Sequence, residues 1–203
     1  GEIFIQLNNN IQGTITNILG NDGAFAILTI NSDNSTNLYT FGRSIYGGSN
    51  SLSTTVKSTI RQIYKNNVGF SLITKEGIVH TWGRTTINSN STFTNFNNNI
   101  SNIFSSSYSF ASINTSGRVN VWGFTGQYND QNRGNSGSNG DEMCYSLNGD
   151  IFNKRDVSNL LTSDVSIIYS NDFSFVAKKN NSDGTYKLIT WGDYSKGGSP
   201  YKE

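Results

Sequence analysis

Residues 60–83 read IRQIYKNNVGFSLITKEGIVHTWG and residues 100–123 read ISNIFSSSYSFASINTSGRVNVWG. The two stretches align without a gap. Each opens with an apolar pair three residues apart (Ile60 and Ile63, Ile100 and Ile103), places a Phe seven residues after the second member (Phe70, Phe110), and closes on Trp82-Gly83 or Trp122-Gly123. Working outward finds two more copies. Residues 15–42 carry Ile15, Ile18, Phe25 and Phe41-Gly42, and residues 165–192 carry Val165, Ile168, Phe175 and Trp191-Gly192. The residue before each Phe is small (Ala24, Gly69, Ser109, Ser174), which implies a close backbone approach at that point.

Within each copy the pattern is that of strands: short apolar or aromatic runs separated by turn residues. Residues 70–74, 75–77 and 78–82 predict a hairpin in which Gly77 supplies a positive φ, and Gly117 and Gly184 stand at the same place in later copies. The outer copies are longer before the closing dipeptide, and the extra residues are assigned to Asn-rich hairpin tips at 31–37 and 180–185, where insertion is cheap. No segment sustains helical periodicity, so helix is expected to be minor.

The closing glycines recur at intervals of about 40 residues, apart from a third interval longer by roughly 29. That period fits one small sheet per repeat, the propeller-blade class. The expected fold is all-β: a β-propeller-like array of about four to five small antiparallel blades, in an incomplete or small ring. Residues 1–203 form a single repeat domain, with repeats at about 11–59, 60–99, 100–164 and 165–203. The insertion occupies 124–160, and residues 1–10, with Glu2 to Leu7, are a leading edge strand that completes a blade or pairs with a neighbouring subunit. Phe25, Phe70, Phe110, Phe175, Phe41, Trp82, Trp122 and Trp191 are assigned to the repeat core.

Composition narrows the function classes. Charged residues are 14% of the chain, against about 25% in ordinary domains, and 15 basic residues balance 14 acidic ones. A nucleic-acid partner needs clustered Lys and Arg to displace counterions, so none is expected. No apolar run is long enough for membrane insertion, and the chain opens on Gly1, as a processed chain or a fragment would. The polar surface is instead Asn, Ser and Thr, with 30 Asn in all.

Catalytic chemistry finds little material. His80 is the only His and Cys144 the only Cys, and no flanking signature joins them. Asn129, Asp130, Asp141, Glu142 and Asp150 offer hard oxygen atoms without the spacing of a calcium loop. The glycines of 134–140 are followed by no Lys-Ser/Thr, so no phosphate loop is expected. No catalytic residue, cofactor or metal is therefore assigned. Tyr46, Tyr128, Tyr145 and Tyr194 lie in loops or repeat tails and are the candidate binding residues, since Tyr offers rigid contact area to a protein or a sugar.

The repeat resembles the regulator-of-chromosome-condensation type of β-propeller repeat, on its apolar pair, its small-residue-Phe step, its Gly hairpin and its Trp-Gly ending. It is similar to the bacterial and viral variants with a Trp-Gly-x-x-x-x-Gly-Gly-Ser tail, seen at residues 41–49 and 191–199. The resemblance implies a propeller fold. The eukaryotic family usually has His where these copies have Phe, and usually seven blades where about four and a half fit here, so exchange-factor activity does not carry over, and neither do chromatin contacts, since no basic arm or patch is present.

Together these features point to a non-enzymatic structural or interaction protein that self-associates or binds another protein, on an extracellular, cell or virion surface. The alternative is a glycan- or protein-binding module using the blade loops and residues 124–160.

Overall fold

The computed structural model describes residues 11–84, 99–123, 157, 160–192 and 197–198. The edge strand expected at 1–10 and nearly all of the 124–160 insertion lie outside the described residues, as do Cys144, Asn129, Asp130, Asp141, Glu142 and Asp150. The described chain is all-β. Its strands are β1 (Thr14–Gly20), β2 (Ala24–Ile30), β3 (Thr36–Gly42), β4 (Ile60–Lys65), β5 (Gly69–Thr74), β6 (Val79–Gly83), β7 (Ile100–Ser105), β8 (Ser109–Asn114), β9 (Val119–Gly123), β10 (Val165–Ser170), β11 (Ser174–Asn180) and β12 (Tyr186–Gly192). They form four separate antiparallel three-stranded meanders, blades 1 to 4 in chain order. Among the described residues helix is limited to α1 (Thr54–Ser58), a 3₁₀ turn at Ser44–Tyr46 and the 3₁₀ residue Leu160, and no helix is long and apolar enough to cross a membrane.

The four-fold pattern of the sequence has a geometric cause in each blade. In a regular strand, residues three apart point to opposite faces. Here the first strand of every blade shifts register inside the apolar pair, between Ile15 and Asn17, Ile60 and Gln62, Ile100 and Asn102, and Val165 and Ile167. The extra residue returns the second apolar side chain to the face of the first. A tight turn then sets the seven-residue step to Phe: Asn21, Asn66 and Asn171 each accept backbone N–H bonds through their side-chain oxygen, and Ser106 does so through its hydroxyl.

The closing dipeptide is equally constrained. Gly42, Gly83, Gly123 and Gly192 pair with Ala24, Gly69, Ser109 and Ser174, the small residues before each Phe. All four glycines have positive φ, and a Cβ added to any of them would come within 2.5–2.7 Å of the partner's Cα. The next pair in the same unbroken register sets the preceding aromatic opposite the Phe, and the rings stack at 5.4, 5.3, 5.6 and 5.3 Å from blade 1 to blade 4.

The longer outer copies depart from expectation. All four hairpins use the same turn, in which one N–H donates four residues ahead (Asn31 to Ser35, Thr74 to Ile78, Asn114 to Arg118, Asn181 to Thr185) and a second closes back across it. Gly77, Gly117 and Gly184 supply the left-handed residue at φ +76° to +83°, and Asn34 supplies it at +64° in blade 1. The additional residues therefore lengthen the ladders of β2–β3 and β11–β12 rather than enlarging the tips.

Blades stack face to face. We term the face bearing the apolar pair, the Phe and the closing aromatic the leading face, and its opposite the trailing face. Ala24, Ala26, Leu28 and Leu38 of blade 1 pack on Ile60, Ile63, Phe70, Leu72 and Trp82 of blade 2. Ile73 and Val79 of blade 2 pack on Ile100, Ile103, Phe110 and Trp122 of blade 3. Ala111, Ile113, Val119 and Val121 of blade 3 pack on Val165, Ile168, Phe175, Ala177, Ile189 and Trp191 of blade 4. Every internal interface thus joins a trailing face to the next leading face, and the ring is not closed.

Candidate interaction surface

A stack of four blades has three internal interfaces and two outer faces. The leading face of blade 1 displays Ile15, Ile18 and Phe25 at 49, 56 and 48% exposure. Their counterparts in blades 2 to 4 (Ile60, Ile63, Phe70; Ile100, Ile103, Phe110; Val165, Ile168, Phe175) are all between 0 and 4% exposed. Phe25 keeps its stacking on Phe41 but not the burial expected of a core residue, because no sheet lies in front of it among the described residues.

The trailing face of blade 4 is the other outer face. Leu188 is 63% exposed where Leu38, Val79 and Val119, three residues before their own closing aromatics, are buried. Tyr169 is 59% exposed, whereas its counterparts Leu19, Tyr64 and Phe104 pack partly buried against the next core. Lys178 stands where the other blades have Leu28, Ile73 and Ile113, with its ammonium 4.9 Å above the ring of Tyr186.

Of the candidate binding tyrosines, Tyr128, Tyr145 and Tyr194 lie outside the described residues. Tyr46 is half-buried in the tail after blade 1 and packs on the core shared by blades 1 and 2. The Arg43 guanidinium lies 5.3 Å over its ring, and its carbonyl accepts the side-chain N–H of Asn21 at 2.8 Å. The adjacent Gly47 carbonyl accepts the Trp82 indole N–H at 3.1 Å, so this tail covers the aromatic pair of blade 2.

His80 lies on β6, buried on the leading face of blade 2, and desolvation lowers its pKa from the ordinary value. Its Nδ1 has no partner among the described residues. No group of three or more His, Cys, Asp or Glu side chains suited to a metal occurs among the described residues.

No protein-family model matches the sequence, and no curated protein matches it. Solved structures similar to it include the ectodomain of the receptor kinase CR4 from Physcomitrella patens, at 12% identity and a TM-score of 0.49 over 90% of this chain and 40% of that one. Yeast RCC1 (Prp20), solved with Kap60 bound, is similar at 10% identity and a TM-score of 0.49 over 91% of this chain and 45% of the other. Human WBSCR16 is similar at 15% identity and a TM-score of 0.48, over 91% and 49%. The chain spans less than half the length of each.

Proposed function

We propose that this chain is a non-enzymatic structural and interaction protein that works by burying the leading face of blade 1 against a protein surface. The observation that carries the reading is the contrast between Ile15, Ile18 and Phe25, about half exposed, and the same positions in blades 2 to 4, which are covered. Fully burying a side chain of this kind is worth about 1.5–3 kcal/mol, and roughly half of that remains unrealised at each of the three. Exposed apolar side chains grouped on one sheet face in this way favour an interaction site. Placement on an extracellular, cell or virion surface belongs to the same proposal and rests on the low charge and the Asn-, Ser- and Thr-rich composition.

The repeat's similarity to regulator-of-chromosome-condensation units, in their bacterial and viral form, supports a scaffold rather than a catalyst. The test is Ile18→Lys, which adds a charge at an exposed position and should leave the circular dichroism unchanged. Protein binding, whether to further copies or to a partner co-purified from the natural source, should fall at least tenfold. Undiminished binding by Ile18→Lys and by Phe25→Lys would overturn the reading.

A further inference from the structure

The internal interfaces show what a leading face accepts: the trailing face of a blade of the same kind. Among the described residues the outer faces at blade 1 and blade 4 are one partly exposed example of each: Ile15, Ile18 and Phe25 are about half exposed while Ile27 on the same face is buried, and Leu188 and Tyr169 are exposed at blade 4. Among the described residues like-to-like pairing of two leading faces has no precedent, whereas leading-to-trailing pairing occurs at all three joints between described blades.

A second observation points the same way and is independent of side-chain burial. A relay of backbone hydrogen bonds links the blades through one equivalent position, three residues before each Phe. The Asp22 N–H donates to the Asn67 carbonyl at 3.2 Å, the Asn67 N–H to Ser107 at 2.9 Å, and the Ser107 N–H to Asp172 at 3.0 Å. Each blade donates to the blade that follows it. Among the described residues the relay leaves one donor unused, the Asp172 N–H, and one acceptor unused, the Asp22 carbonyl. These are the two halves of one more link.

The tail supplies a third. After blade 1 it crosses to the next blade, where Gly47 lies against Phe70 and accepts the Trp82 indole N–H. The same Gly-Gly-Ser tail recurs only after blade 4, and Gly197 repeats the backbone of Gly47, with φ +102° against +94°. Gly197 lies near Ser174 and Asn171 of blade 4, and among the described residues no further blade follows on that side.

We propose that the occupant of the blade 1 leading face is blade 4 of a second copy of this chain, docked as blades 1, 2 and 3 dock on their successors. The Asp172 N–H of one copy donates to the Asp22 carbonyl of the next, and Ile15, Ile18 and Phe25 pack on the partner's Leu188 and Tyr169. Lys178 lays its methylene stem along this face and keeps its ammonium at the rim. Such a contact is heterologous, so it propagates to a ring where the rotation closes and to a filament where it does not. This inference rests on the interaction reading above, of which it names the partner.

The test uses the 203-residue chain and two exposed-site variants, followed by sedimentation and electron microscopy. Wild type should sediment above monomer mass as rings or filaments, while Ile18→Lys and Leu188→Lys should each be monomeric with unchanged circular dichroism. Mixed in equal amounts, the two variants should form a dimer and nothing larger, because each keeps the one good face the other has lost. In that dimer the Asp172 amide of Ile18→Lys should exchange more slowly than in the monomer. A wild-type chain that stays monomeric at its highest soluble concentration overturns the inference, and so does Leu188→Lys associating with itself, which would mean leading faces pair with each other. Monomeric wild type would leave the broader reading standing if Ile18→Lys still abolished capture of a different protein.

Discussion

Trp122 donates its indole N–H to the hydroxyl of Thr81 at 3.0 Å, across the boundary between blades 2 and 3. In the core between blades 3 and 4 the residues at the equivalent positions are Trp191 and Val121, whose side chain has no oxygen to offer, and the Trp191 Nε1 has no partner among the described residues. Thr81 and Val121 each stand one residue before their own closing Trp.

Two opposite effects are expected from this difference. Thr81→Val should destabilise the fold by about 1–3 kcal/mol, since it strands a buried donor. Val121→Thr should stabilise it by about 0.5–1.5 kcal/mol by giving the stranded donor an acceptor at nearly constant volume. Urea unfolding of both variants measures the pair, and a loss of stability in Val121→Thr would refute the equivalence of the two joints.

Gly83 illustrates the constraint on the closing dipeptide. At φ +95° a Cβ would meet Gly69 Cα at 2.7 Å and the Val68 carbonyl oxygen at 2.9 Å, both backbone atoms that cannot rotate away. Gly83→Ala should cost about 2–4 kcal/mol, combining backbone strain with overpacking. Gly69→Ala is the matched control: Ala24 holds that place in blade 1, so its cost should stay below about 1 kcal/mol. Equal losses in the two variants would contradict the geometry.

Burial of His80 gives a pH dependence of known sign. Its folded pKa is lowered, so near neutral pH and below the unfolded chain, whose His titrates at about 6.5, binds the extra proton. Stability is therefore fully present above the unfolded value and falls as pH drops through it toward the folded one. His80 is the only His, so the urea midpoint should decline between about pH 7.5 and pH 5.5 in wild type and stay flat in His80→Gln. Parallel profiles in the two proteins would assign the effect elsewhere.

The blade 1 aromatic offers a gain-of-function test of head-to-tail docking. Thr190 Oγ1 lies one residue before Trp191, as Thr81 does before Trp82, yet it has no partner among the described residues. The residue that would face it across a docked interface is Phe41, which carries no N–H. Phe41→Trp should supply that donor and tighten self-association by about 2- to 12-fold, the worth of one net hydrogen bond. Weaker association in Phe41→Trp would place Thr190 away from the interface.

Much of each blade was legible from local spacing. The apolar pair three apart, the small residue before Phe and the aromatic-Gly ending are each fixed within one meander, by a register shift, a close Cα approach and a ring stack. The longer hairpins were misplaced because sequence length alone does not tell a larger tip from a longer ladder; the Asn-rich segments 31–37 and 180–185 enter the strands at Thr36 and Asn37 in one copy and at Asn180 in the other. The Trp122–Thr81 bond was not legible, since its partners are 41 residues apart on different sheets.

The sequence by itself determined that this chain makes small sheets of one repeated design, because turns, bulges and ring pairs depend on neighbours within about 30 residues. Only the tertiary structure decided which faces of those sheets are covered. Phe25 and Phe70 obey the same local rules, yet one is half exposed and the other fully buried. Burial depends on a neighbouring sheet being present, and no residue of blade 1 encodes what stands in front of it.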